Sequence, residues 1–193
     1  MSSTPDFLLR TALPGDIPAL HELIASSVRG LMTSSYSEQQ LEAALGLWLG
    51  VDSQLVSDRT YLIVETEENG ERVLVGCGGW SKRKTAYGSD NRPGREDALL
   101  DPAMDAAKIR AFFVHPDWAR RGIGAIILDH CERAALKAGF TRCEMGATLN
   151  GVPFYRSHGY QPAEQIELPL PNGATLPILK MFKDLNDSGS AGK

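Results

Sequence analysis

The sequence predicts a single α/β domain, in the broad sense that includes α+β, and three observations carry that prediction. Apolar residues recur at the spacing of an amphipathic helix in four stretches, and short runs rich in β-branched and aromatic residues, bounded by turn formers, recur in seven others. No repeat or shift in composition divides the 193 residues. Of these, 42% are hydrophobic and 23% charged, an ordinary globular balance that supports a real core.

Residues 7–12 read as the first strand. Pro14-Gly15-Asp16 then opens a helix with Ile17, Leu20, Ile24 and Val28 on one face. Ser37 and Gln40 have the spacing of a capping box ahead of a stripe formed by Leu41, Leu45 and Trp48 or Leu49, so a second helix is expected through residue 49. Residues 61–65 and 72–76 read as strands joined by "TEENGE", whose Asn69-Gly70 pair is a hairpin signal, and the second runs on through "CGGW". Residues 82–106 lose all periodicity and pass from basic (Lys82, Arg83, Lys84) to acidic (Glu96, Asp97, Asp101, Asp105). A loop of that length is usually functional or disordered.

Residues 109–114 form a buried-looking strand, followed by a helix to about Lys137 with Gly139 as its stop. Ile123, Ile127, Cys131, Ala134 and Ala138 are expected on its inner face. A strand over 142–148, a short helix over 152–158 and a terminal hairpin of 166–170 with 176–182 complete the domain, assigned to residues 1–183. Residues 184–193 read as a polar tail. The hairpin offers either a homodimer contact or a solvated edge.

A net charge of -4 argues against a nucleic-acid surface, which depends on clustered Lys and Arg, and favours a cationic substrate. The N-terminal residues show neither a basic leader nor an apolar stretch, and no run is long enough to span a bilayer. Cys77, Cys131 and Cys143 match neither a disulfide framework nor a zinc ligand set. A soluble cytoplasmic protein with reduced thiols and no membrane partner is expected.

The most informative stretch is "ARRGIGA", residues 119–125, set between a strand and a helix. A helix start leaves backbone N–H groups without partners and carries partial positive charge. Gly122 and Gly124 remove Cβ atoms that would hold a phosphate away, and Arg120 and Arg121 add charge, so a pyrophosphate suits the site. A flexible turn with solvated arginines is the alternative. Ile127 stands where a dinucleotide-binding fold wants Gly or Ala, and the Gly-Lys-Ser/Thr of a P-loop is missing.

The strand with Val114 and Pro116, then Arg-Arg-Gly-Ile-Gly, a helix ending in Ala-Gly-Phe, another strand and finally "FYRSHGY" together resemble the GNAT superfamily of N-acetyltransferases, most strongly over residues 109–160. The resemblance implies a mixed central sheet of about six to seven strands flanked by about four helices. It implies acetyl-CoA in a V-shaped split between the strands ending at Val114 and near Thr148. Pantetheine would pair around Phe112, Phe113 and Val114, and the pyrophosphate would meet Arg120, Arg121, Gly122, Ile123, Gly124 and Ala125. The chain departs from the family pattern at Ala119, at Arg120 and at Thr148, where the family often shows Gln or Arg, Gly and Asn.

The implied activity is acetyl transfer to a primary amine on a small molecule, peptide or protein; a module holding acyl-CoA without turnover is the alternative. Tyr155 matches the family's tyrosine general acid, and a phenol can protonate a departing thiolate. Amides near Phe113 and Val114 are expected to polarise the thioester carbonyl. The strand over 109–113 lacks a carboxylate; Glu144, Glu96, Asp97, Asp101 and Asp105 read as ordinary surface or loop charges, and none is assigned as base. Cys77 reads as a core residue, Trp80 and Trp118 as packing residues, and His21, His115, His130 and His158 as unrelated to any metal site. The 82–106 loop is expected to be a mobile lid over the acceptor.

Overall fold

The computed structural model describes residues 6–185. Among them, a seven-stranded mixed sheet in the order β1-β2-β3-β4-β5-β7-β6 carries five α-helices on its two faces. The strands are β1 (Leu8–Thr11), β2 (Tyr61–Glu68), β3 (Glu71–Ser81), β4 (Ala107–Val114), β5 (Arg142–Thr148), β6 (Gln161–Pro169) and β7 (Thr175–Asp184). The helices are α1 (Ile17–Leu31), α2 (Glu38–Ala44), α3 (Ser53–Ser57), α4 (Ile123–Lys137) and α5 (Val152–Ser157). Every strand pair is antiparallel except β4 with β5.

The hydrophobic pattern divides into two layers. Leu20, Ile24, Leu41, Leu55 and Ile63 build the core under α1–α3, while Ile123, Ile127, Leu128, Phe140 and Met181 build the core under α4 and α5. On α4 the buried face is Ile123, Ile127, Leu128, Cys131 and Ala135. Ala134 is partly buried against the same core, as expected, whereas Ala138 is exposed because α4 ends at Lys137 and Ala138 is its cap.

The second helix is shorter than its apolar stripe suggests. The capping box of Ser37 and Gln40 forms, but α2 stops at Ala44 because Leu45 leaves helical geometry and Gly46 takes φ +76°. Trp48 and Leu49 are buried from a turn, not a helix. A short helix that the sequence reading passed over, α3, follows, its start capped by Asp52, which accepts from the Gln54 amide at 3.2 Å.

The C-terminal hairpin is longer than expected on both strands. Asp184 closes β7 and pairs with Arg142 at 2.8 Å, and Leu185 is buried, so neither belongs to a tail. The rest of the expected tail, 186–193, lies outside the described residues, as do 1–5. At the sheet edge, residues 161–165 of β6 are exposed and include Glu164, which pairs with Lys180 at 3.2 Å. No helix among the described residues is long and apolar enough to cross a membrane.

β2 and β3 pack without space to spare. A Cβ on Gly79 would lie 2.7 Å from the Thr60 carbonyl oxygen, which also accepts from the Trp80 amide. Gly79→Ala is therefore expected to cost about 1–3 kcal/mol, seen as a lower urea midpoint with unchanged slope. An unchanged midpoint would contradict this packing.

Candidate active site

The site begins with an extra residue. Cys77 of β3 pairs with Phe113 of β4 and Gly79 pairs with Arg110, so Ala111 and Phe112 together oppose Gly78. That is a β-bulge, and Ala111 adopts φ +55° to make it. Gly78 permits it: a Cβ there would meet the Phe112 ring at 2.6 Å. The Ala111 carbonyl accepts from the buried Tyr61 hydroxyl at 3.3 Å and from the Cys77 thiol at 3.7 Å. Burial pushes the Cys77 thiol up to about 12, which suits a packing and bonding role and not a nucleophile.

β4 and β5 pair only at Ala107 with Cys143 and Lys108 with Glu144. Past those pairs the strands part, and a cleft of about 900 Å³ opens between them. Substitute partners tie down its margins. The Val114 amide donates to the Ser27 hydroxyl of α1 at 3.3 Å. The Leu149 amide donates to the Tyr36 hydroxyl at 2.8 Å, and Tyr36 donates in turn to the Pro177 carbonyl at 2.7 Å.

The β4–α4 junction forms the cleft's other wall. A Pro116–Trp118 turn packs so tightly against α1 that a Cβ on Gly30 would stand 2.4 Å from the Pro116 ring. Arg120 (φ +62°) and Gly122 (φ +85°) then swing the chain into α4. The first helical hydrogen bond there runs from the Ile126 amide to the Gly122 carbonyl at 3.1 Å. The amides of Ile123, Gly124 and Ala125 consequently have no intrahelical acceptor. Space around the missing Cβ of Gly122 is open, whereas one on Gly124 would press the Phe154 ring at 3.1 Å.

Phe112, Phe113, Val114, Arg120, Gly122, Ile123, Gly124, Ala125 and Tyr155 all line this one cleft. Arg121 does not: its guanidinium lies 4.5 Å over the Trp118 ring and donates to the Asp117 carbonyl at 3.1 Å. The stacking surface of Trp118 takes it away from the unpaired amides at the start of α4. The residues present thus fit a diphosphate, with bare amides, one arginine and a glycine whose side-chain space is empty.

Tyr155 sits on α5 where the cleft meets a smaller chamber, and is 8% exposed. Its ring packs edge-on against Phe154, Phe112 and Tyr160, with centroids 5.0, 6.2 and 5.8 Å away. Burial raises its phenol above the ordinary value, so the group keeps its proton at neutral pH.

No carboxylate lines either cavity. Glu144 is held by Lys108 at the closed end of the split. Asp97 pairs with Arg95 at 3.0 Å, Glu96 lies near Lys84 at 3.8 Å, and Asp101 and Asp105 bond within their own turn. The sequence reading missed Trp48, Tyr87 and Arg110 as wall residues, and Asp52 as the buried partner of Arg110 behind the wall. The available signal was Arg110 itself, a charge inside the apolar strand 109–114, because such a residue is rarely buried unpaired.

Comparison with known proteins defines the class. The family model described as an acetyltransferase (GNAT) domain matches residues 57–162, more than half of the chain, and the chain belongs to that family. It is an acyltransferase. An uncharacterized N-acetyltransferase, YjcF, of Bacillus subtilis (strain 168) is 28% identical over 129 residues, covering 63% of this chain and 76% of that protein. The crystal structure of a GCN5-related N-acetyltransferase from Rhodopseudomonas palustris superposes with a TM-score of 0.65 at 25% identity, covering 95% of this chain and 98% of the other. The PaiA N-acetyltransferase of Thermoplasma acidophilum, solved in complex with coenzyme A, shares the fold at 15% identity, with a TM-score of 0.61 over 93% of this chain and 99% of that one.

All three cysteines are free and buried. Burial holds the Cys77 and Cys143 thiols at about 12, and that of Cys131 well above its ordinary value. The folded protein should therefore resist iodoacetamide at pH 8 and take up the label on three residues only after denaturation. Rapid labelling of Cys77 in the folded state would contradict the described bulge.

Proposed function

We propose that the chain transfers an acetyl group from acetyl-CoA to a primary amine by direct attack within a ternary complex. The observation that carries this reading is the meeting of the α4 amides, the bulged β4 edge and Tyr155 on one cleft. Acetyl-CoA supplies a thioester whose carbonyl carbon bonds to the amine nitrogen as the carbon–sulfur bond breaks.

The amides of Ile123, Gly124 and Ala125, with Arg120, would hold the diphosphate. That fixes the reacting end along β4 and converts an encounter into an oriented one. The Val114 amide faces the developing oxyanion in this scheme, whereas the Phe113 amide is turned to the Cys77 side, and a preorganised donor is typically worth about 3–4 kcal/mol. The long 3.3 Å bond from the Val114 amide to Ser27 is weak enough to be exchanged for an oxyanion. Tyr155 gives its proton to the departing thiolate, and the proton released by the new amide nitrogen passes through water and restores the phenol. Three buried reduced thiols agree with a cytoplasmic setting.

Tyr155→Phe should lower kcat by about 10²–10⁴-fold, the usual contribution of a positioned acid, while the calorimetric Kd for acetyl-CoA stays within a few-fold. Equal activity of the variant removes Tyr155 from the mechanism. Absence of any heat of binding with coenzyme A or acetyl-CoA, in folded wild-type protein, removes the whole reading. Filling the empty space at Gly122 with Gly122→Ala, at a φ that strains any L side chain, should weaken coenzyme A binding at least several-fold; an unchanged Kd would move the diphosphate elsewhere.

A further inference from the structure

The smaller chamber, of about 80 Å³, lies where the parted strands face α1–α3. Trp48, Tyr87, Gly88, Arg110 and Met145 wall it, and Tyr155 stands at its junction with the larger cleft. Arg110 is the only charged residue in that wall. It immediately precedes the bulge: its neighbour Ala111 is the residue whose carbonyl meets the buried Tyr61 hydroxyl.

The Arg110 side chain is 2% exposed. Its Nη1 forms an ion pair with Asp52 Oδ2 at 2.5 Å, outside hydrogen-bond angles, and its Nη2 donates to the Gly88 carbonyl at 2.7 Å. Its Nε is buried with no partner. A buried charged donor left unsatisfied is costly, and native structures keep such groups for a reason.

Three guanidiniums, of Arg110, Arg95 and Arg92, stand among three carboxylates, of Asp52, Asp90 and Asp97, but of these six only Arg110 reaches the chamber wall. Asp52, itself 0% exposed, is shared between Arg110 and Arg95, the latter at 2.7 Å. Arg92 lies over the Tyr87 and Trp48 rings at 5.1 and 5.6 Å and donates only to the carbonyls of Pro93 and Tyr87. Burial, opposed by Asp52 and aided by the nearby charges of Arg95 and Arg92, holds Arg110 below its ordinary value. The outer carboxylates, Asp90 and Asp97, lie against Arg95 and not in the chamber wall.

We propose that the acceptor is a small amine that also carries a carboxylate, and that Arg110 receives the carboxylate in the chamber of Trp48, Tyr87 and Gly88. This rests on the acetyl-transfer reading above. A carboxylate seated against the chamber wall meets Arg110 as the one charged residue there, with no carboxylate in the wall to oppose it. A polyamine or a basic peptide would bring further cations beside Arg110 with no carboxylate to meet them. The chamber volume admits only a few heavy atoms, which suits a small molecule.

The test measures free thiol release from acetyl-CoA with leucine, phenylalanine and β-alanine, each beside its own carboxamide. The acids should show kcat/KM at least tenfold above the amides. In Arg110→Gln, and in Asp52→Asn/Arg110→Gln where no buried charge is stranded, KM for the acids should rise at least tenfold, with the amides and acetyl-CoA little changed. Should the variants not fold, the wild-type acid-to-amide ratio decides alone. If acetyl-CoA binds and the amides match or exceed the acids in thiol release, this assignment falls and the acetyl-transfer reading stands; if acetyl-CoA binds and none of the six compounds releases thiol, both fall. If acetyl-CoA does not bind wild-type protein, the acetyl-transfer reading itself falls.

Discussion

The structure depends on a pairing that is begun and then given up. Two parallel strands at the centre of the sheet share two residue pairs and then separate, although every buried backbone amide and carbonyl abandoned by a neighbour must find another partner. The replacements come from four different places. Ser27 of α1 serves the Val114 amide, Tyr36 serves the Leu149 amide, and Tyr61 with Cys77 serves the Ala111 carbonyl. Because each partner is itself buried or fastened, the width of the split is fixed by the fold and not left to a ligand. α4 follows β4 directly, so its unpaired amides open onto the same gap.

Net charge is a poor guide to what that gap attracts. The chain totals -4, yet neither cavity wall contains an Asp or Glu, and the lining charges are Arg120 in one and Arg110 in the other. Acidic residues lie on outer surfaces and in ion pairs such as Arg29 with Glu42 and Lys183 with Glu132. A cleft with low-dielectric walls answers to the few charges that line it more than to the sum over the molecule. The general inference from composition to a cationic partner is therefore weaker than the local one.

Much of this was legible in the sequence where local rules act alone. The capping box at Ser37, the Asn69-Gly70 turn and the stop at Gly139 depend on contacts within a few residues. The glycine pattern at 122 and 124 likewise signalled an exposed helix start. What escaped was set by distant partners. Trp48 leaves the helical stripe because Gly46 turns the chain, and its indole then reaches the Pro169 carbonyl at 2.8 Å. Arg121 is drawn to Trp118, a competition that charge spacing cannot show. Arg110 finds Asp52, which is 58 positions earlier, and no periodicity links them.

The 82–106 segment shows how such distant contacts change a reading. Its length and lack of pattern suggest a lid, yet it is fastened along its course. Arg83 pairs with Asp58 at 2.6 Å, Thr85 bonds Glu96 across the loop, Ser89 donates to the carbonyls of Gly46 and Leu47, and Arg95 reaches Asp52. Tyr87 packs on β5 so closely that a Cβ on Gly146 would stand 2.9 Å from its ring. Ordering a loop of this length costs on the order of 1–2 kcal/mol per residue in backbone entropy, and buried ion pairs recover little net energy once desolvation is counted. Holding the loop in place is thus hard to explain as stabilisation alone. It is explained by what the loop supplies: the ring of Tyr87 and the carbonyl of Gly88, which close the chamber and clamp Arg110 beside the bulge.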